Sequence, residues 1–389
     1  MTNYPTYKLG EVADYINGRA FKPSEWKENG LPIVRIQNLN DESAVYHYSD
    51  AEHEEKYLLH DGDLLFAWAA SLGTYIWNGG EAWLNQHIFK VLPKQNVSKM
   101  YLYYALTSII KELYSKSHGS GMVHVTKGKF EETEIPLPPL PTQRAIVTRI
   151  ESLFAELDKA VQHLRTAQQQ LKTYRQAVLR DAFEGNLTKE WRKHNHISNE
   201  TWEEKSFSSI AEIKSNLVDV SDYKDYPHIA PDNIEKETGK LLEYHTIAED
   251  GVISGKHRFF TGQILYSKIR PNLSKVVIVS FDGLCSADMY PIEAKGNTKF
   301  LWYQMLSDRF VDYASNSGSR TVLPKINQKG LSIIPMKICS IEEQNEVVIQ
   351  IESRLSQATA SETYIENALQ QAEALRQSIL KKAFSGELV

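Results

Sequence analysis

The sequence predicts an α+β protein. Two globular mixed α/β blocks are separated by two long helices, which form an intramolecular antiparallel coiled coil in a pseudo-two-fold tandem repeat. Three observations predict this. First, residues 174–188 read YRQAVLRDAFEGNLT and residues 375–389 read LRQSILKKAFSGELV. Arg175, Gln176, Leu179, Ala182, Phe183, Gly185 and Leu187 recur as Arg376, Gln377, Leu380, Ala383, Phe384, Gly386 and Leu388, at a constant offset of 201 positions. The echo reaches upstream, where Gln143, Ile150, Glu151 and Ser152 recur as Gln344, Ile351, Glu352 and Ser353. Repetition of this kind fixes an architecture before any element is assigned.

Second, Ile146, Ile150, Leu153, Leu157, Ala160, Leu164, Ala167, Leu171, Tyr174 and Val178 alternate steps of four and three, the seam of a long helix. A weaker seam, Ile351, Leu355, Ala358, Ile365, Ala368, Ala372, Leu375 and Ile379, follows in the second copy, interrupted by Arg354 and Ser361. Roughly 42 residues at about 1.5 Å each make a rod near 60 Å long, which must pack along its length. Two such helices in one chain are satisfied by each other, although a self-dimerising coiled coil would show the same periodicity.

Third, the remaining sequence falls into two blocks of similar outline. In residues 1–141, LPIVRIQNLN (31–40), DGDLLFAWAASLG (61–73), TYIW (74–77) and HIFKVLP (87–93) are short β-type runs bounded by turn residues. An amphipathic helix at 98–114 and a polar loop, SHGSG, follow. In residues 206–339, YPHIAPDNIE (226–235), TGQILYSKIRPN (261–272) and KVVIVS (275–280) precede a helix at 298–314 and the loop SNSGSR, with Gly262 answering Gly62. Prolines 136, 138, 139 and 141 hold back the first long helix, assigned to 142–187 with Thr142 as N-cap. Residues 188–205 read as a linker and 340–389 as the second long helix, with Ser340 and Glu343 as a capping box. Gly185 and Gly386 stand where left-handed caps end the helices.

At 389 residues, 42% hydrophobic and 24% charged, the composition is globular and allows two or three domains. Two cysteines, Cys285 and Cys339, cannot build a disulfide framework or a cysteine zinc cluster and suit a reducing compartment. The opening residues lack a signal-peptide pattern and no 18-residue apolar run occurs, so a cytoplasmic protein is expected. A net charge of -5 excludes a polycation that coats nucleic acid, so any such binding must be local or shared with partners.

The run from LPPLPTQRAIV through YRQAVLRDAFEGNLTKEWR, with its C-terminal echo, resembles the central and distal conserved regions of the specificity (S) subunit of type I restriction-modification enzymes. The family carries an acid before the repeated glutamine; Glu343 matches, whereas Thr142 departs. The resemblance implies two target recognition domains, each reading one half of a split double-stranded DNA site for phage defence. It implies helices that set the spacing, two docked modification (methyltransferase) subunits, and two restriction subunits in the full complex. The chain would then be a non-catalytic subunit of a DNA adenine methyltransferase and endonuclease complex. It would bind no cofactor itself: S-adenosylmethionine would sit on the modification subunit, and ATP and Mg on the restriction subunit.

The residues point to DNA independently. From Gly255 to Val276 the chain carries Lys256, Arg258, Lys268, Arg270 and Lys275 and no acid, with Asn272 among them and Phe259, Phe260 and Tyr266 interleaved. Arg320, Lys325 and Asn327 form a second acid-free stretch. Arg35, Gln37 and Asn38, then Lys116, Ser120, His124 and Lys127, are the candidates in the first block. Cations and amide donors suit phosphate and base contact, although each residue alone reads equally well as solvated surface. Catalysis finds little support. No glycine-rich strand-to-helix turn is present, and the sole Pro-Pro lies in LPPL. Asp288, Glu293 and Lys295 resemble a nuclease metal site but read more simply as a polar strand end, and His194 and His196 as solvated linker residues. A stand-alone DNA-binding protein and an enzyme in its own right are the alternative classes.

Overall fold

The computed structural model describes residues 4–41, 43–116, 125–198, 201–316 and 324–389. The chain separates into two compact units, Met1–Leu164 with Asn367–Val389, and Arg165–Glu366. The long helices run Leu140–Phe183 and Ile341–Ser385, so each unit holds one block and a part of both helices.

In the first unit, strands Ala13–Asn17, Ile88–Pro93, Leu64–Ala67 and Gly73–Ile76 form an antiparallel sheet in that order. A second sheet orders His47–Ser49, Leu31–Val34, Ala82–Leu84 and Leu58–Leu59, with Ile33 and Trp83 in parallel register. Leu64–Ala67 is buried at every position, which is why its sequence is an apolar run and not an alternation. The second unit repeats this order with Ala211–Ile213, Met289–Ala294, Ile264–Ser267 and Val276–Ile278. Its other sheet orders His245–Thr246, Pro227–Ile229, Gly283–Cys285 and Lys256–Phe259, extended by Leu217–Val218, with His228 and Leu284 parallel. Gly62 and Gly262 enter the equivalent hairpins at φ +86° and +84°, and donate to the Trp77 and Val279 carbonyls at 2.7 Å.

Each block is closed by two helix segments. In the first unit Ile146 and Ile150, near the start of the first long helix, share a core with Phe66, Phe89, Tyr101 and Phe130. Ile379, Leu380, Ala383 and Phe384, from the end of the second helix, complete it. In the second unit Val347, Val348 and Ile351 open the second helix against Phe207, Tyr266 and Phe300, and Val178, Leu179, Ala182 and Phe183 end the first helix in the same core. Phe384 meets Tyr101 edge-on at 5.3 Å, as Phe183 meets Phe300. Within each unit the two segments run in opposite directions, so the helices pair intramolecularly and antiparallel. The repeated glutamines are staples. Fully buried Gln143 accepts from the Ser98 N–H (2.8 Å) and donates to the carbonyls of Asn96 (3.0 Å) and Pro138 (2.8 Å). Gln344 accepts from the Asn297 N–H (3.0 Å) and donates to the Cys339 carbonyl (2.9 Å). Each ties the start of its block's amphipathic helix to a long helix and leaves no buried amide unmatched.

Several expectations need correction. The first long helix begins at Leu140, because Pro141 in a first turn lacks only an N–H that would have no intrahelical partner, and the Pro139 carbonyl accepts from Gln143 (3.1 Å). Ser340 accepts from the Glu343 N–H (3.3 Å), but the reciprocal half of the capping box is missing because the Glu343 carboxylate is engaged elsewhere. The helix expected at 298–314 is broken into Thr298–Met305 and Asp308–Asn316. Gln176 fills the break, donating to the Leu306 carbonyl (3.1 Å) and accepting from the Asp308 N–H (2.9 Å). Of the seam, Ile150, Leu157, Ile351, Leu355 and Ile365 are buried and Leu153, Leu164 and Leu171 half-buried. Leu375, however, is 51% exposed and its repeat mate Tyr174 43% exposed; Ala160 is exposed as well. The neighbouring arginines face inward in their place. Arg376 pairs with Asp158 over the Phe154 ring (4.4 Å), and Arg175 holds Glu362 (2.7 Å) and Thr359 (2.8 Å). An α-helix drifts about 20° per heptad from a strict 3.5 repeat, which brings the next residue round to the seam.

Residues 188–205 are more than a linker. Lys189–His194 is helical, and Glu203–Ser206 pairs with Pro335–Ile338, extending the second block upstream of Ser206. Arg192 is buried in an ion pair with Glu343, whose carboxylate also accepts from Thr188 (2.7 Å) and Trp202 (2.8 Å), while Arg192 donates to the Gly185 carbonyl (2.8 Å). Glu343 is thus matched to a buried arginine; at its repeat mate, the uncharged Thr142 leaves no buried charge to match.

Two outcomes follow. Phe384→Ala should destabilise the first unit by about 3–5 kcal/mol, seen as lost hydrogen-exchange protection in residues 99–116 with residues 264–305 unchanged. Glu343→Ala should cost the second unit about 3–5 kcal/mol by leaving Arg192 buried without its partner, and Arg192→Met combined with Glu343→Leu should recover more than half of that loss in a chemical unfolding titration.

Candidate nucleic-acid interface

In the second unit the turn after strand Ile264–Ser267 is held in an unusual shape. Arg270 and Ser274 both take left-handed backbone angles, φ +48° and +45°, around a short helical turn at Pro271–Leu273. The turn is braced by a distant segment: Arg270 donates its N–H to the Pro324 carbonyl (2.8 Å), and Ile326 donates to the Lys268 carbonyl (2.9 Å). This brings Lys268, Arg270 and Asn272 beside Lys325 and Asn327, joining two of the sequence clusters on one rim. Arg270 and Asn272 are exposed, and among the described residues no carboxylate pairs with Arg270.

The other cations of this stretch are already committed. Lys256 is 7% exposed and donates to Ser254 Oγ (2.7 Å), with burial holding its ammonium below the usual lysine range. At that burial it is no surface contact. Lys275 donates to the Pro231 carbonyl (2.8 Å) and pairs with Asp232 (3.2 Å). Arg258 lies over the rings of Phe260 (4.8 Å) and Tyr223 (5.5 Å). Lys268 donates to the Ala287 carbonyl and faces Asp288 (3.9 Å), and Lys325 pairs with Asp288 at 2.8 Å. Burial first, then the Lys325 charge, lowers the pKa of Lys268. Asn327 caps the helix Gln328–Ser332, accepting from the Gly330 N–H (2.7 Å).

In the first unit the candidates scatter. Arg35 is half-buried over the Trp26 ring (5.7 Å), and Trp26 stacks on His47 at 3.8 Å and 7°. Burial, then the adjacent Arg35 charge, holds His47 below the usual imidazole range. Gln37 is exposed on the helix Ile36–Asn40. Asn38 is buried and spent on structure, accepting from the Arg35 N–H (3.1 Å) and donating to the Ala44 carbonyl (3.2 Å). Lys127 donates to the Tyr15 carbonyl (2.9 Å), and no hydrogen bond or ion pair joins it to Arg35 or Gln37 among the described residues. Lys116 ends the helix Lys99–Lys116, and its side chain lies outside what is described, as do Ser120, His124 and Arg320.

Sequence reading missed the true counterpart of the Arg270 turn. In the first unit Val125 donates to the Trp68 carbonyl (3.2 Å) and Trp68 to the His87 carbonyl (3.0 Å), matching Ile326 to Lys268 and Lys268 to Asp288 (3.0 Å). Ala70, at φ +58°, stands where Arg270 stands. Trp68, Ala70 and His87 therefore occupy the rim positions that Lys268, Arg270 and Asp288 occupy in the second unit. The alignment of DGDLLFAWAASLG with TGQILYSKIRPN contained this signal, hidden because the side chains share no chemistry.

The nuclease-like triplet does not converge. Asp288 serves Lys325 and Lys268, Glu293 pairs with Lys214 (3.3 Å), and Lys295 donates to the Ser208 carbonyl (3.0 Å). His194 and His196 are exposed, and no group of metal-ligating side chains occurs among the described residues. No described helix is long and apolar enough to cross a membrane.

Comparisons with known proteins agree with this geometry. The family profile of the type I restriction modification DNA specificity domain matches twice, at residues 1–164 and 199–371. The chain is 43% identical over 310 residues to the type I restriction enzyme EcoDI specificity subunit of Escherichia coli, covering 74% of this chain and 70% of that protein. It is 28% identical over 412 residues to the EcoBI specificity subunit of Escherichia coli, covering 98% and 85%. Among solved structures, a chain from the work on complex assembly and conformational transition of the type I R-M system superposes with a TM-score of 0.72 at 16% identity, covering 99% of this chain and 98% of that one. The HsdS subunit from Thermoanaerobacter tengcongensis gives 0.51 at 16% identity, covering 99% and 97%. The duplicated domain, its matching helix ends and these relatives together place the chain in the family of type I restriction-modification specificity subunits.

Proposed function

We propose that the chain is the DNA sequence-specificity subunit of a type I restriction-modification complex, in which each block reads one half of an asymmetric bipartite site. The observation that carries the reading is the pair of equivalent rims. Two matching backbone hydrogen bonds and one left-handed residue recur in both units, yet one unit presents Lys268, Arg270 and Asp288 and the other Trp68, Ala70 and His87. A shared frame with rewritten side chains is what two readers of different half-sites require. The long helices then fix the spacing between half-sites and dock two modification subunits, with two restriction subunits joining in the full complex. The chain itself is non-catalytic and holds no cofactor; S-adenosylmethionine belongs to the modification subunit, and ATP and Mg to the restriction subunit. Its place of action is the cytoplasm.

Exchange of residues 203–339 for the corresponding block of a relative, in a chain assembled with its modification subunits, should change one half of the methylated motif and leave the other intact, as read by sequencing of modified bases. Alteration of both halves, or of neither, would overturn the two-reader reading. Arg270→Ala should weaken binding by about 5- to 150-fold, the range for loss of one bidentate base contact. If Arg270 contacts only phosphate, the loss should be equal on all sequences and the salt dependence shallower in a titration of affinity against ionic strength.

A further inference from the structure

We propose that Asp288 is a specificity-determining residue of the second block. Its carboxylate selects a base that presents an amino group in the major groove, cytosine or adenine, at one position of the half-site, and restrains Lys268 and Lys325 on other sequences. The proposal rests on the reading of residues 203–339 as a DNA reader.

Asp288 is fixed by its backbone from two sides, its carbonyl accepting from the Lys268 N–H (3.0 Å) and its N–H donating to Ser286 Oγ (3.2 Å). The carboxylate lies on the braced rim, 2.8 Å from Lys325 and 3.9 Å from Lys268. Neither contact is needed to hold the fold. Lys268 donates to the Ala287 carbonyl and lies over the Tyr290 ring (5.2 Å), so its ammonium is accommodated without the acid. Asp288 and Lys325 are 45% and 48% exposed, and an ion pair half open to water adds little stability. An acid is not part of the shared frame either, since His87 holds the equivalent position in the first unit.

A carboxylate on a surface that meets DNA repels phosphate, so its presence calls for a compensating contact. Cytosine N4 and adenine N6 donate to a carboxylate in the major groove, whereas guanine O6 and N7 and thymine O4 meet it acceptor to acceptor. A base amino group that takes up the carboxylate frees the flexible Lys325 side chain for phosphate. On a wrong base Lys325 stays paired with Asp288, so its phosphate contact is forgone while the acid meets a base acceptor, and discrimination comes from repulsion as well as attraction.

Asp288→Asn, tested in the chain assembled with its modification subunits, keeps the shape and the backbone bonds. One position of the second half of the methylated motif should relax to admit guanine or thymine, with the first half unchanged. Affinity for a duplex lacking the site should rise about 5- to 10-fold, with steeper salt dependence. An unchanged motif with affinity for that duplex within twofold of wild type would overturn the proposal. Block exchange would still move the second half-site in that case, whereas failure of the two-reader reading shows in the exchange itself. If the Asn variant melts well below wild type, Lys325→Gln decides. Lower affinity for the siteless duplex with the motif intact supports the proposal, and a changed motif overturns it by making the lysine the reader.

Discussion

Each block's hydrophobic core is finished by the end of a long helix that starts in the other unit. Phe183, Ala182 and Leu179 close the second block, and Phe384, Ala383 and Leu380 close the first. Much else depends on this closure. Neither helix can end short of its core, which accounts for their near-equal lengths of 44 and 45 residues. Both must run antiparallel within each unit. The left-handed glycines that stop them, Gly185 at φ +75° and Gly386 at φ +82°, stand at matched positions, with Asn186 and Glu387 closing back on the Asp181 and Lys382 carbonyls at 2.8 and 3.0 Å.

Closure by shared helix ends also separates what is constant from what varies. Most of the identities repeated at an offset of 201 positions belong to the closure: the buried glutamines, the aromatic at the helix end, the inward arginines and the capping glycines. The rim residues lie near the ends of the sheet strands, where backbone hydrogen bonds set the shape and the side chains differ between the units. Lys268, Arg270 and Asp288 in one unit and Trp68, Ala70 and His87 in the other are the outcome. A frame of this kind permits a surface to change its chemistry without threatening its fold.

Helices, repeat and hairpin runs were legible in the sequence because they rest on local rules: a 3.6 period, a glycine cap, an apolar run between turns. The seam was legible only in part. Drift of the helix moved Tyr174 and Leu375 outward and Arg175 and Arg376 inward, at repeat-related positions. The break at Leu306 and Ser307 depended on Gln176, more than a hundred positions away in the chain, and no local pattern announced it. The site was less legible still. Candidate contact residues clustered in sequence proved to be spread over different tasks, with Lys256 in the interior, Asn38 buried in the helix Ile36–Asn40 and Lys275 tied to Asp232. Arg270 was legible as a candidate, but its left-handed turn and its bracing to Pro324 were not, because they depend on a segment more than fifty positions away.

If the long helices set the spacing between the two half-sites, inserting seven residues into each of them where the compact units divide, after Leu164 and after Glu366, should reveal it in the methylated motif. Seven residues preserve the seam register. They lengthen each helix by about 10.5 Å, close to three base pairs of B-DNA at about 3.4 Å each. The expected methylated motif keeps both half-sites and gains a spacer about three base pairs longer. A motif with an altered half-site, or one with its spacer unchanged, would contradict that role of the helices.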